Sequence, residues 1–303
     1  MRLTFPVISP AKIELLHLEK CCKTTIRYYC NTNYIKQFTV SINIPNAPGV
    51  SMKYIKTIIE LLWIVVFLII AIPAMLCMLV LHKKDPVKTE RIARYWITIY
   101  MNGAMALSGT KPTIRGLENV PEDTAVLYVA NHRSYFDIVV TYPLSKKPTS
   151  FVAKAELQNI PFFAFWGRNM QVLFFDKNDM KASMKMILEG IKRLKSGISV
   201  FICPEGGRNH NKEMLPLQEF RDGSFKLASK SGCPVIPIAI YRMDDIWEAH
   251  MPWIKKAYPI ITYGKPVYMN DLSPEDQKHP GEYFKNLIEE MLRETERSFT
   301  SGN

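Results

Sequence analysis

From Leu61 to Leu81 the chain runs for 21 residues without a single charge. At 1.5 Å per helical residue such a run covers roughly 30 Å, the hydrocarbon thickness of a bilayer. A helix buried in a soluble core is usually shorter, so this stretch predicts attachment to a membrane. Lys53 and Lys56 flank one end, and His82, Lys83 and Lys84 flank the other. Charge therefore does not choose an orientation. Pro73 lies inside the run and would kink a continuous helix or break it into a hairpin. A spanning helix and a re-entrant hairpin both fit. Residues 88–108 follow as a second helix, with Ile92, Tyr95, Trp96, Ile99 and Met101 in one stripe and Arg91 and Arg94 opposite. Either an interfacial helix or an amphipathic helix packed on the domain has this pattern. Residues 52–108 are thus read as a membrane-anchoring helical region.

The segment before it is different. Residues 1–51 carry six basic and two acidic residues and end in the loop signal Pro45-Asn46-Ala47-Pro48-Gly49. They show no helical period and no apolar core of a signal peptide. Met52 then opens the patterned stretch. The expectation is that the native protein starts at Met52, with 1–51 an upstream in-frame extension or a mobile, disordered tail.

After Gly109 short apolar runs alternate with amphipathic ones. Strands are expected at Thr113–Arg115, Thr124–Ala130, Ser150–Ala153, Gln171–Phe175, Ser199–Ile202, Val235–Ile240 and Ile260–Tyr263. Helices are expected at Ile138–Tyr142, Met180–Lys195, Ser224–Ser231 and Tyr283–Arg297. This alternation predicts an α/β domain over 109–303, with a mostly parallel sheet flanked by helices.

Lys and Arg number 39 against 28 Asp and Glu, a net charge of +11. The excess favours anionic partners such as membrane lipid or a phosphorylated substrate. The basic residues are scattered and form no nucleic-acid recognition motif, so no nucleic acid is expected. Six cysteines without a C-x-x-C pair read as reduced thiols, and no metal site is expected.

Two segments carry candidate chemistry. Asn131-His132-Arg133-Ser134-Tyr135-Phe136-Asp137 follows directly on the buried run ending at Ala130. The carboxyl end of a strand is where α/β sheets place functional groups. Ser134 is a candidate N-cap, and Asp137 three residues on can close a capping box, which turns its carboxylate back toward His132. A shared hydrogen bond would fix the imidazole tautomer and stabilise an imidazolium. The competing reading is a helix cap beside a polar loop histidine. Arg133 is either an anion contact or a solvent-facing side chain. The second segment is Pro204-Glu205-Gly206-Gly207-Arg208-Asn209. Its glycines admit close backbone approach, and Arg208 offers a planar fork for a phosphate. Glu205, as a carboxylate, is expected to orient another group. A plain Gly-rich turn would look the same in isolation.

The sequence NHRSYFD resembles the N-H-x-x-x-x-D motif of the glycerolipid acyltransferases, the PlsC-type family. CPEGGRN resembles their F-P-E-G-T-R-S motif, and VIPIAI their final V-P-I block, all in the family's order. The resemblance covers roughly residues 55–270 and is nearest to bacterial 1-acylglycerol-3-phosphate acyltransferases. It implies that His132 is the general base for the acceptor hydroxyl and that Asp137 orients it. It implies that Glu205, Gly206 and Arg208 bind the glycerophosphate part of the acceptor. Lys177 stands where the family's intermediate motif has arginine, and Gly207, Asn209 and Cys203 replace its threonine, serine and phenylalanine. Arg221, in a segment like the family's basic-Gly stretch, adds positive charge near the acceptor or lies on the surface.

The activity this implies is acyl transfer from acyl-CoA or acyl carrier protein to lysophosphatidic acid, giving phosphatidic acid, with no cofactor. It also implies a bacterial inner membrane, with the catalytic domain on the cytoplasmic side. Two alternatives stand beside it. One is an acyltransferase for another lysolipid, such as a lysophospholipid or lyso-ornithine lipid. The other is a non-catalytic membrane lipid-binding protein. A serine hydrolase is disfavoured because no G-x-S-x-G elbow occurs.

Overall fold

The computed structural model describes residues 2–7, 24–29, 36–42, 52–82, 84–176, 178–211 and 213–301. Before Met52, β1 (Arg2–Val7), β2 (Thr24–Tyr29) and β3 (Lys36–Ile42) form an antiparallel sheet in the order β1-β3-β2. These strands are absent from the sequence reading, which sought a helical period there. The β-branched and aromatic residues of TTIRYY and KQFTVSI are instead strand formers.

The uncharged run is divided between α1 (Met52–Ile70) and α2 (Ile72–Leu81), which meet at Ala71 with a bend of 43°. Pro73 is the second residue of α2, where its missing N–H costs no helical bond. The result is a bent pair, neither a straight rod nor a closed hairpin. Among the described residues no single helix is long and apolar enough to cross a membrane; the bent pair meets the length and composition by itself. Phe67, Ala71, Ala74 and Met78 are buried, whereas Leu61, Leu62, Val65, Ile69, Leu76, Leu79 and Val80 are exposed. One face of the pair thus packs and the other is bare hydrocarbon.

The packed face meets α3 (Pro86–Ser108), which buries Ala93, Ile97, Ala104 and Leu107. Trp63 donates from Nε1 to the Tyr100 carbonyl and lies across Gly103, where a Cβ would overlap its ring. α3 is therefore a packed amphipathic helix. Tyr95, assigned above to the apolar stripe, is exposed, because the packed stripe runs through Ala93 and Ile97.

The α/β domain follows in the order β4 (Thr113–Arg115), β5 (Leu127–Ala130), α4 (Phe136–Thr141), β6 (Thr149–Lys154), α5 (Pro161–Asn169), β7 (Leu173–Phe175), α6 (Met180–Lys195) and β8 (Ser199–Ile202). It is completed by α7 (Lys226–Ser231), β9 (Val235–Tyr241), β10 (Ile260–Tyr263), α8 (Pro274–Lys278) and α9 (Pro280–Ser301). The seven strands lie in the order β4-β10-β9-β5-β8-β6-β7. All neighbours are parallel except β9 and β10.

Both faces of this sheet are covered, so its central strands read as continuous apolar runs. Tyr128, Ile236, Ile238 and Ile240 join one core with α1 to α5; Leu127, Val129, Val235 and Ala239 join the other with α6, α7 and α9. After β5 the chain crosses one face through α4 toward β6. After β8 it crosses the other face through α7 toward β9. Neighbouring parallel strands whose connections leave in opposite directions open a crevice at their carboxyl ends. By this rule the crevice is expected between β5 and β8.

Candidate active site

His132 emerges two residues beyond β5, at the lip of this crevice. Its Nδ1 is 2.8 Å from Asp137 Oδ2. Asp137 lies in the first turn of α4 and is fully buried. The same Oδ2 accepts the backbone N–H groups of Arg133 and Ser134, both at 2.9 Å. Three donors thus converge on one oxygen. The reach back to the Ser134 N–H is the acidic half of a capping box, and the chain folds this way because those N–H groups have no partner within the helix. Asp137 Oδ1 has no partner among the described residues. With Nδ1 committed to a carboxylate, Nδ1 carries the ring proton and Nε2 presents a lone pair.

Glu205 follows β8 and is buried. Its Oε1 accepts the His132 backbone N–H at 2.7 Å, and its Oε2 accepts the Gln218 N–H at 3.3 Å. Both oxygens are therefore committed to backbone, not turned to a ligand. This carboxylate fixes the histidine turn, as expected of a group that orients another. Asn209 N donates to the His132 carbonyl at 2.7 Å, so the two motifs are joined on either side of the histidine. Burial pushes the Glu205 carboxyl up to about 7 from an ordinary 4.5, against the pull of its two backbone donors. A carboxyl raised on folding stabilises the fold fully below its ordinary range, and that contribution is lost as pH rises through about 7. Wild type should accordingly lose denaturant resistance between pH 5 and pH 8 relative to Glu205→Gln. Equal pH dependence in urea melts of the two would refute this.

Gly206 has φ +75°, a conformation that glycine adopts without strain. The Arg221 guanidinium lies over it, and a Cβ on Gly206 would stand 3.2 Å from Arg221 Cζ. Arg221 is exposed, at the start of the turn before α7. Arg208 Cζ lies over the Tyr135 ring, 3.8 Å from its centroid, and Arg208 donates to Tyr135 Oη at 3.1 Å. The two arginines thus flank the glycine turn. Lys177 lies outside the described residues.

Arg133 is neither an anion contact nor solvent-facing. It is buried, bonded to Asp244 through Nε and Nη2 at 3.0 and 2.9 Å, and bonded to the carbonyls of Asn211 and Glu213. Its charge is fully used in tying the loop after the glycine turn to the turn after β9. Ser134 Oγ donates to Glu248 Oε2 at 2.7 Å. Asn131 bridges strands, donating to the Ile240 carbonyl and accepting its N–H. Cys203 replaces an aromatic of the family pattern. Burial, with the Asp137 and Glu205 carboxylates adding, pushes its thiol well above the ordinary value. It is a protonated, weak nucleophile at neutral pH.

Sequence reasoning missed Asp244, Glu248 and Tyr135. Tyr135 sat inside the quoted motif, at a variable position. Asp244 and Glu248 follow β9 in a stretch with no local pattern, and only the sheet order brings them to the histidine turn.

Four similarities bear on this arrangement. Residues 111–241 match the family model described as Acyltransferase. A chloroplastic 1-acyl-sn-glycerol-3-phosphate acyltransferase of Brassica napus is 34% identical over 131 residues, 43% of this chain and 37% of that protein. The 1-acyl-sn-glycerol-3-phosphate acyltransferase of Borreliella burgdorferi is 26% identical over 62% of this chain and 71% of its own length. The chain thus spans little more than a third of the plant relative and most of the bacterial one. The crystal structure of the 1-acyl-sn-glycerophosphate acyltransferase PlsC of Thermotoga maritima shares the fold. Its TM-score is 0.62 at 23% identity, over 80% of this chain and 98% of that one.

Proposed function

We propose that the chain moves an acyl group from a thioester to the free hydroxyl of 1-acylglycerol 3-phosphate, giving phosphatidic acid; the match of residues 111–241 to the Acyltransferase family model supports this reading. The observation that carries this reading is the 2.8 Å contact between His132 Nδ1 and a buried Asp137, beside an arginine-flanked glycine turn. The names of the relatives supply the substrate class.

An alcohol is a poor nucleophile at neutral pH. His132 Nε2 takes the hydroxyl proton as its oxygen attacks the thioester carbonyl. Asp137 stabilises the imidazolium that results. The C–O bond forms, the C–S bond breaks, and the proton passes from His132 to the departing thiolate. The products are the ester and a free thiol, and the histidine is restored. Glu205 holds the histidine turn, while Arg208 and Arg221 receive the phosphate. Acyl-CoA and acyl carrier protein both supply the required thioester.

The acceptor is a bilayer lipid, and the exposed face of α1 and α2 is the surface that meets it. We place this face in the hydrocarbon boundary of a cytoplasmic leaflet, with the basic protein surface on anionic headgroups. Leu62→Ser, Val65→Ser and Ile69→Ser together should lower partition onto anionic vesicles by at least about 100-fold, since each removes an exposed apolar side chain without adding charge. Unchanged co-sedimentation would exclude this face as the anchor.

The activity itself is tested with detergent-purified protein, a labelled acyl thioester and a panel of lysolipids. Label in phosphatidic acid from lysophosphatidic acid is expected. Label only in another lysolipid product would keep the chemistry and change the acceptor. No label in any product would favour a lipid-binding protein.

A further inference from the structure

Glu248 lies in the short turn after β9, with its side chain almost wholly covered (8% exposed). Its Oε2 accepts the Ser134 hydroxyl, and its Oε1 accepts the Tyr135 backbone N–H, both at 2.7 Å. The same Oε1 is 3.4 Å from Arg208 Nη1. Two short bonds therefore bind Glu248 to the histidine turn, and a longer one binds Arg208 to Glu248. On its other side Arg208 stacks on Tyr135, whose ring is 5.8 Å from that of Trp247. Three separate loops, after β5, β8 and β9, meet at this guanidinium.

We propose that Glu248 is a positioning residue for the acceptor: it holds the Arg208 fork in the phosphate-receiving orientation before substrate arrives. This rests on the acyl-transfer reading above and names a residue that the motif resemblance does not reach. Arginine carries five N–H donors in a rigid plane. Glu248 and Tyr135 use two of them, so three stay available to an anion. Holding the plane in advance removes rotamer freedom that binding would otherwise have to remove, about 0.5–1.5 kcal/mol for a side chain of this kind, or about 2- to 12-fold in affinity. Among the described residues no hydrogen bond or ion pair joins Glu248 to His132 or Asp137, so its charge acts on acceptor binding and not on the base.

The test compares Glu248→Gln with wild type, and repeats the comparison in an Arg208→Ala background. Glutamine keeps the shape and can still bond Ser134 and Tyr135, but loses the charge that holds Arg208. The expected result is a KM for lysophosphatidic acid raised about 2- to 12-fold, with kcat, the KM for the thioester and the pH profile unchanged. With Arg208→Ala present, the Gln exchange should have no further effect. Glu248→Ala should show the same KM rise together with a lowered melting temperature, since it also frees the histidine turn. A fall in kcat at constant KM in Glu248→Gln would overturn the proposal, as would a KM effect that survives Arg208→Ala. A wild-type protein inactive on every lysolipid would instead overturn the acyl-transfer reading.

Discussion

His132→Ala should lower kcat for acyl transfer by about 10²–10⁴-fold, the range that a positioned general base contributes. The acceptor KM should change little, because the imidazole contacts the hydroxyl and not the phosphate. The fold should survive. His132 is partly exposed, and its two cross-motif bonds, N–H to Glu205 and C=O to Asn209, are backbone bonds that alanine retains. Far-UV circular dichroism and the melting temperature should therefore match wild type while turnover falls. An acceptor KM raised in parallel with an unchanged kcat would place the histidine in binding instead.

Asp137→Asn should come close to the histidine variant in effect, lowering kcat by about 10²–10⁴-fold. The carbonyl oxygen of asparagine can take the three donors now on Oδ2, and its amide would occupy the place of Oδ1, which has no partner to lose. What disappears is the negative charge beside the imidazolium. Asp137→Ala goes further, because it strips the buried N–H groups of Arg133 and Ser134 of their acceptor. Each such loss costs about 1–3 kcal/mol. The two exchanges therefore separate catalysis from stability: Asn should be inactive yet fully folded, and Ala inactive with a clearly lower urea midpoint. An Asn variant with wild-type kcat would reduce Asp137 to a helix cap.

The features that local pattern controls were legible in the sequence. β5 and β9 are buried on both faces, so TAVLYVA and VIPIAI stand out as apolar runs, though pairing begins only at Leu127 in the first. The turn of Asp137 toward His132 follows from capping geometry within a single helical turn, and the geometry agrees. Glu205 was legible as an orienting group, since a carboxylate does not bind phosphate, but its partner was not, because it is a backbone N–H 73 positions away. Arg133 was misread for the same reason. Its partner Asp244 is 111 positions distant and reaches it only because β9 lies beside β5. The apolar run predicted a membrane-facing segment, yet the sequence left its shape open. The break at Ala71 falls two residues before Pro73, where a kink or break was expected, but its angle of 43° was not readable from the run.

The central claim is that the lipid hydroxyl, deprotonated by His132, attacks the thioester directly. The most direct test follows free thiol with purified enzyme and acyl thioester, with and without lysophosphatidic acid. Thiol should appear only when the acceptor is present, in one-to-one ratio with phosphatidic acid, and should fall with His132→Ala. A burst of thiol equal to the enzyme concentration in the absence of acceptor would contradict it, since that requires an acyl-enzyme.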